Sequence, residues 1–416
     1  MKFAIISLGC RLNMAEIQSV SSSLIDAGHE ATDKSDAKLL IINSCGVTVG
    51  SERKTRQLLY QSIRSGADKI ILTGCASGNE RQEDNVYYLS NDHKNLIPKL
   101  VEDWTLFESI IQTNGSRFDY KPAVHSSRAR INIKIQDGCD HFCSYCIIPI
   151  LRGAPESRDV PSILDEIQKL CDLGYHEFLL SGVCVGNYLH DSVSLGSLLE
   201  KVLELPGSFR IHISSISPWT ITDQIIAIFQ HEKMVKHMSL SLQSGSNSVL
   251  KEMNRLYTAS DYLKIIDSVK KNIPLFNFTT DVIVGFPGET DKDFAETLAV
   301  VKEAGISHVH TFRYSPRPGT KAFEMSETVP ETVKVRRSRM LNELCAEQKR
   351  KYYELFNGVT SVFLNEGTRN GVSRGFNEFY VPVKVEHDLL ENHFFKVHTE
   401  FSPIEVFLRG KVISSF

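Results

Sequence analysis

Six short apolar runs, starting 29 to 46 residues apart, organise the middle of this 416-residue chain: 131–136, 177–183, 209–214, 238–243, 278–286 and 308–314. Helix-patterned stretches lie between them, among them 161–173, 222–229, 259–270 and 291–304. Strands separated by helices are βα units, because parallel neighbours need a crossover of a dozen or more residues. Six units are too few for a closed eight-fold barrel and suit an incomplete one. Reactive groups in such sheets belong at the C-terminal ends of the strands.

The first hundred residues repeat this logic on a smaller scale. Apolar runs 3–8, 39–43 and 69–73 alternate with helix-compatible stretches 15–27 and 52–64, which stop at Gly28 and Gly66. That pattern predicts a separate Rossmann-like parallel sheet. Residues 104–130 carry the breakers Asn114-Gly115-Ser116 and Pro122 and are expected to link the two units. Residues 331–351 form a charged helical stretch. Between Lys334 and Lys351 seven basic residues face two acidic ones, a local net of +5, either a solvated helix face or an anion-binding one. From 357 the pattern changes. Gly358, Gly367, Gly371, Gly375 and Gly410 punctuate alternating runs 359–364, 379–385, 394–397 and 404–408, which read as a small all-β module. The expected α/β organisation is three domains, 1–122, 123–356 and 357–416.

Net charge is −3, so nucleic-acid contact has to be local rather than a global basic field. No uncharged run reaches the ~18 apolar residues of a membrane span. The apolar start, Phe3 to Leu8, is short and lacks a cleavage site, which makes it a first strand rather than a signal peptide. Nine cysteines, an odd number in a large chain, argue against a disulfide framework and for a reducing, cytosolic setting.

Cys139, Cys143 and Cys146 form a CxxxCxxC triplet directly after the first strand of the six-unit region. Three thiolates on one tight loop can bind three irons of a 4Fe–4S cluster and leave the fourth open. A zinc ion completed by a ligand elsewhere is the other reading of the spacing. Cys10, Cys45 and Cys75 each end an apolar run of the first domain. Strand C-termini of a parallel sheet share one edge, so these three converge despite their separation in sequence. Three buried core cysteines are the alternative.

CxxxCxxC, with Tyr145 before its last cysteine, at the first strand of a partial (β/α)6 barrel resembles the radical S-adenosylmethionine superfamily. The three-cysteine α/β domain, the barrel and the terminal β module together resemble the methylthiotransferases. Supporting stretches are Leu8 to Asn13, Arg152-Gly153 with Ser157-Arg158, Leu240 to Gly245 and Thr280 to Glu289. The last module is similar to a TRAM domain, a small RNA-binding barrel.

The resemblance implies two 4Fe–4S clusters, one on Cys139, Cys143 and Cys146 and one on Cys10, Cys45 and Cys75, with S-adenosylmethionine serving as radical source and methyl donor. It implies replacement of C–H by C–S–CH3. It further implies contacts to S-adenosylmethionine from Gly182, Ser241, Gln243, Ile283 and Gly285, each with a plain reading as a strand-end or core residue. Arg152 and Arg158 are candidate phosphate or carboxylate ligands, or else ion pairs. His141 is expected to shield the cluster, and Cys171 and Cys345 to be structural; Cys184 has no assigned role. The loop Ile148 to Arg152 departs from the family pattern after its proline.

Gly9 to Asn13 and Gly138 to Cys143 look most like the type that modifies N6-threonylcarbamoyladenosine in tRNA. The isopentenyladenosine type and the ribosomal-protein aspartate type are the alternatives, and a non-catalytic iron–sulfur RNA-binding protein is the reading from another class. Expected partners are a tRNA anticodon stem-loop and an external one-electron reductant, for a cytoplasmic monomer away from membranes.

Overall fold

The computed structural model describes residues 1–76, 83–126, 128–326 and 328–415. β1 (Lys2–Ser7), β2 (Glu30–Ala31), β3 (Leu39–Ser44), β4 (Lys69–Gly74) and β5 (Val86–Tyr88) make a parallel sheet in the order β2-β1-β3-β4-β5. β3 is apolar through Ile42 because both of its faces are covered. Leu39 and Ile41 pack with Phe3, Ile17 and Leu24 under α1 (Arg11–Asp26). Leu40 and Ile42 pack with Leu59, Ile70 and Leu72 under α2 (Val49–Arg64). β2 and β5 are short edge strands with no clear apolar signal in sequence.

The six expected strands are present as β6 (Arg130–Lys134), β7 (Glu177–Ser181), β8 (Arg210–Ile213), β9 (His237–Ser239), β10 (Asn277–Val284) and β11 (His308–Arg313), although β9 stops at Ser239 and its expected run to 243 continues only as isolated bridges at Leu240 and Gln243. β6, β7 and β8 form one parallel set and β9, β10 and β11 another. Parallel bridges Ile211–Met234 and Ile216–Leu240 join the two halves. Helices wrap the outside, and their apolar stripes bury Ile163, Ile167, Leu198, Leu199, Ile266 and Val301 against the strands. One of them, residues Leu195–Leu203, was not anticipated from the sequence.

The N-terminal unit spans the open side of this barrel. α1 lies along β6, where Asn132 donates to Gln18 at 2.9 Å. At the other edge Arg317, just beyond β11, pairs with Glu52 of α2, and Val49 N donates to Ser315 Oγ at 3.1 Å.

The charged helix runs over Glu331–Glu354, but much of its basic character is used internally. Lys334 and Arg337 are buried. Lys334 reaches Tyr314 O at 3.2 Å, and Arg337 holds Glu289 at 2.6 Å and Asp291 at 2.9 Å. These two of the seven basic side chains are therefore not free to meet phosphate, whereas Arg350 and Lys351 are exposed.

The terminal module is a closed five-stranded barrel of β12 (Val359–Arg369), β13 (Val372–Asn377), β14 (Pro382–Val385), β15 (Phe394–Ser402) and β16 (Phe407–Ser415). The strand expected over 404–408 begins only at Phe407, because the chain turns there and leaves Ile404 92% exposed. Phe379 likewise precedes its strand, with Tyr380 at φ +59°. β13 went unread despite its signal: Asn370 and Gly371, at φ +54° and +73°, make the two-residue hairpin turn that this pair favours. The module docks on the N-terminal ends of the barrel strands, through Arg130, Arg210 and Tyr380. Among the described residues no helix is long and apolar enough to cross a membrane.

Candidate functional site

The CxxxCxxC loop leaves β6 through Gln136, Asp137 and Gly138. Gly138 has φ +70°, and a Cβ there would sit 2.0 Å from Ala154 O, so only glycine fits. Asp137 Oδ1 accepts the Gly138 N–H at 2.7 Å, and Cys139 N donates to Gly153 O at 3.0 Å. Further along, Asn254 Nδ2 holds Phe142 O at 3.1 Å, Ser144 Oγ donates to Glu252 O at 2.7 Å, and Cys146 N donates to Cys143 O at 2.9 Å.

The thiols differ in environment. A hydrogen bond with the Cys184 thiol brings Cys139 down to about 7. Burial pushes Cys146 up to about 12. Arg255 Nη1 lies 3.4 Å from Cys143 Sγ, while its guanidinium covers Trp219. His141 packs on the same indole with ring centroids 4.1 Å apart, and burial lowers its pKa. Among the described residues no three His, Cys, Asp or Glu side chains converge on one point as a single metal ion needs. Three soft thiols, one near its thiolate range at neutral pH and one beside a guanidinium, suit an iron–sulfur cluster.

Cys10, Cys45 and Cys75 follow β1, β3 and β4, which are neighbours in the sheet. Glycines let these strand ends approach. A Cβ on Gly9 would lie 3.5 Å from Cys45 Sγ, and one on Gly46 would lie 2.5 Å from Cys75 O. Asn91 Nδ2 points at Cys75 Sγ from 3.9 Å. A cavity of about 410 Å³ opens between Cys75 and Asn91 on one side and Ile150 and Leu151 on the other. Ile150 and Leu151 belong to α3 (Ile148–Arg152), the helix after the CxxxCxxC loop, so the residues that depart from the family pattern line this space.

Neither arginine of the loop region is available to a ligand. Arg152 is enclosed by Glu16, Asp137 and Asn13, and Arg158 pairs with Glu166. Sequence reading left both choices open; the partner Glu16 lies 136 residues from Arg152.

The remaining candidates line the C-terminal ends of the barrel strands. Gly182 closes on Gln136, whose Oε1 would lie 2.9 Å from an added Cβ. Ser241 Oγ meets Ser215 Oγ at 2.8 Å, and Ser215 donates to Asp281 Oδ2 at 3.2 Å. Burial raises the Asp281 carboxyl above its ordinary value. Gln243, at φ +64°, donates its N–H to Asp281 O at 2.8 Å and accepts from Ile283 N at 2.9 Å. Ile283 packs with Val249, Met253, Phe286 and Tyr314. Gly285 donates to Glu289 Oε2 at 2.6 Å and lies under the aliphatic chain of Lys334. Ser215, Trp219 and Arg255 were missed in sequence because nothing local marks them, and Asp281 lies in the stretch Thr280 to Glu289 without being singled out. The position of Cys184 after the second barrel strand was the one available hint for its contact with Cys139.

Residues 133–301 match the Radical SAM superfamily, and residues 2–91 match a family described as uncharacterized protein family UPF0004. The fold is similar to the radical S-adenosylmethionine methyltransferase TsrM of Kitasatospora setae, with a TM-score of 0.52 and 11% identity over 77% of each chain. The chain is 37% identical to the threonylcarbamoyladenosine tRNA methylthiotransferase MtaB of Chlamydia pneumoniae, over 92% of this chain and 90% of that one. It is 34% identical to the tRNA-2-methylthio-N(6)-dimethylallyladenosine synthase of Clostridium tetani, over 85% of this chain and 83% of the relative. The class defined by fold and site is a radical S-adenosylmethionine enzyme. Within that class the chain belongs to the methylthiotransferase family.

Proposed function

We propose that this chain is a tRNA methylthiotransferase that converts N6-threonylcarbamoyladenosine beside the anticodon to its 2-methylthio derivative. The observation that carries the reading is the pair of three-cysteine edges on adjoining sheets, in a chain aligned over nine-tenths of its length with a relative named for that reaction. In this reading Cys139, Cys143 and Cys146 hold one 4Fe–4S cluster, and Cys10, Cys45 and Cys75 hold another. Residues 1–122, 123–356 and 357–416 act as cluster-bearing, radical and RNA-binding domains.

When bound, the clusters and S-adenosylmethionine supply hydrogen abstraction from an unactivated C–H bond, a sulfur atom and a methyl group. The protein's own residues bind and orient. Gly138 and Asp137 aim the cysteine loop, and Arg255 places positive charge beside Cys143. His141 and Trp219 keep water from that side. Gly182, Ser241, Gln243, Ile283 and Gly285 are the proposed contacts to S-adenosylmethionine, with Ser215 and Asp281 holding the hydroxyl of Ser241 in place. The cavity between Cys75 and Ile150 has the size of a small-ligand pocket and suits a splayed base presented to the N-terminal edge at Cys75. The reading puts the protein in the cytoplasm, supplied by an external one-electron reductant.

Mass spectrometry of tRNA nucleosides tests the proposal, using a bacterial strain without its own methylthiotransferases complemented with this chain. Appearance of 2-methylthio-N6-threonylcarbamoyladenosine is expected. The isopentenyl product instead would keep the chemistry and overturn the substrate. Neither product, from protein holding its clusters, would overturn the tRNA reading.

A further inference from the structure

The junction between the two cysteine edges holds an unbalanced buried charge. Glu16 and Asp137 face Lys94, Lys134 and Arg152, and all five side chains are at most 6% exposed. Two anions against three cations leave one positive charge. Lys94 pairs with Glu16; Lys134 bridges Glu16 at 2.7 Å and Asp137 at 2.6 Å; Arg152 Nη1 reaches the same two carboxylates at 3.0 and 2.9 Å. The bordering groups do not repair the balance. Arg158 and Glu166 neutralise each other; Asp92 and Glu156 outnumber Arg117 by one negative charge, but they stand about half in water, where solvent screens them. A buried charge without a counter-charge is costly, so an anion is expected on the remaining side. That side presents Cys75 and Cys10, both within electrostatic reach of Arg152.

Arg152 also makes a mechanical link. Its Nη2 donates to Asn13 Oδ1 at 2.6 Å. The amide nitrogen of Asn13 donates to Leu8 O at 3.1 Å and Ser44 O at 2.9 Å, the carbonyls just before the Gly9-Cys10 turn and Cys45. Arg152 itself ends the helix that follows Cys146, and Asp137 lies two residues before Cys139.

We propose that Arg152 is a positioning residue for the N-terminal thiol site: through Asn13 it fixes the strand ends carrying Cys10 and Cys45, and the surplus positive charge around it is the counter-charge of an anionic cluster held there. The proposal rests on the reading that Cys10, Cys45 and Cys75 hold a cluster.

The test uses the full chain with Cys139→Ala, Cys143→Ala and Cys146→Ala, so that iron reports the N-terminal site alone. Iron and labile sulfide per chain, iron loss to a chelator and midpoint potential are compared for this parent, for Arg152→Gln, Arg152→Lys and Lys94→Gln. Arg152→Gln is expected to lose iron on the order of 10-fold faster and to shift the potential negative, as loss of an outer partner does. Arg152→Lys, which keeps the charge, restores the potential. Lys94→Gln removes the surplus charge without touching the Asn13 link; it shifts the potential the same way while retaining iron. Iron-free Arg152→Gln should melt below the parent, since Glu16, Asp137 and Asn13 lose buried hydrogen bonds, so the charge effect is read from the potential and from the Lys94→Gln comparison. A large fall in iron-free melting temperature with unchanged potential would overturn the proposal in favour of a purely structural role. If the parent holds iron and neither Gln variant changes retention or potential, this proposal alone falls. A parent without iron overturns both this proposal and the two-cluster reading.

Discussion

The Arg255 guanidinium lies 4.4 Å from the Trp219 ring centroid and keeps Nη1 3.4 Å from Cys143 Sγ. It is tied down by the Tyr257 hydroxyl at 3.3 Å and by Ser241 O at 3.5 Å, so its placement does not depend on a ligand. Donors to a ligating sulfur stabilise the reduced state of a cluster. Arg255→Met is therefore expected to leave barrel iron content near wild type and to move the midpoint potential of that cluster negative. An EPR-monitored redox titration checks this; an unchanged potential would show that Arg255 serves packing alone.

Two glycines separate backbone strain from collision. Gly28 has φ +82° and open space where a Cβ would stand; Gly138 has φ +70° and Ala154 O at 2.0 Å. Gly28→Ala is expected to cost about 1–2 kcal/mol, the left-handed penalty, with full iron uptake. Gly138→Ala should cost more and abolish iron binding at the barrel set. Thermal melts and iron assays on the two variants, side by side, decide whether the loop tolerates displacement.

Stability should fall in mild acid through the barrel's buried histidines. His237 Nε2 meets Thr279 Oγ1 at 3.0 Å, and its Nδ1 meets His212 Nε2 at 2.6 Å. Burial, with Arg130 nearby, lowers the His237 pKa from an ordinary 6.5 to about 3. Between those values the unfolded chain binds the additional proton, so folding stability declines as pH falls. At pH 5 the contribution is about 2 kcal/mol relative to neutrality. Melting curves from pH 7 to 5 should be flatter for His237→Asn than for wild type. Equal slopes would show that His237 charges in the folded protein.

What was legible in sequence follows from what physics writes locally. The run Leu39 to Ile42 announces a strand covered on both faces, and the spacing of such runs places Cys10, Cys45, Cys75 and the CxxxCxxC loop at strand ends. Groups whose meaning depends on a distant partner were not legible. Arg152 could be a ligand or an ion pair until Glu16 is beside it, and Lys334 and Arg337 count as surface charge until Gly285 and Glu289 are seen beneath them. Cys184 gains meaning only through Cys139, on another strand end. Ile404 shows the converse error: the alternating run 404–408 suggested a strand where the chain still turns.

Glu177 is fully buried at the start of β7, where Oε1 accepts from Arg130 Nε at 2.5 Å and Oε2 from Arg210 Nε at 2.6 Å. Both arginines also hold the terminal module: Arg130 reaches Glu366 at 2.6 Å and the Tyr380 hydroxyl at 3.1 Å, and Arg210 donates to Phe376 O at 3.0 Å. Burial would raise the Glu177 carboxyl, and the two guanidiniums outweigh it, so its pKa lies below the ordinary 4.5. The resulting stability is present above that ordinary value and is lost as pH falls through the lowered one. Glu177→Ala strands two buried guanidiniums and is expected to cost about 3–5 kcal/mol; Glu177→Gln should cost less, since it still accepts hydrogen bonds. Deleting 357–416 uncovers the same arginines, so the truncated barrel should also melt lower, and weakened RNA binding after that deletion would not by itself locate the RNA site. Calorimetry of Glu177→Ala, Glu177→Gln and the truncated chain checks the order. If Glu177→Ala melts with wild type, the module is held by its apolar contacts rather than by this ion-pair cluster.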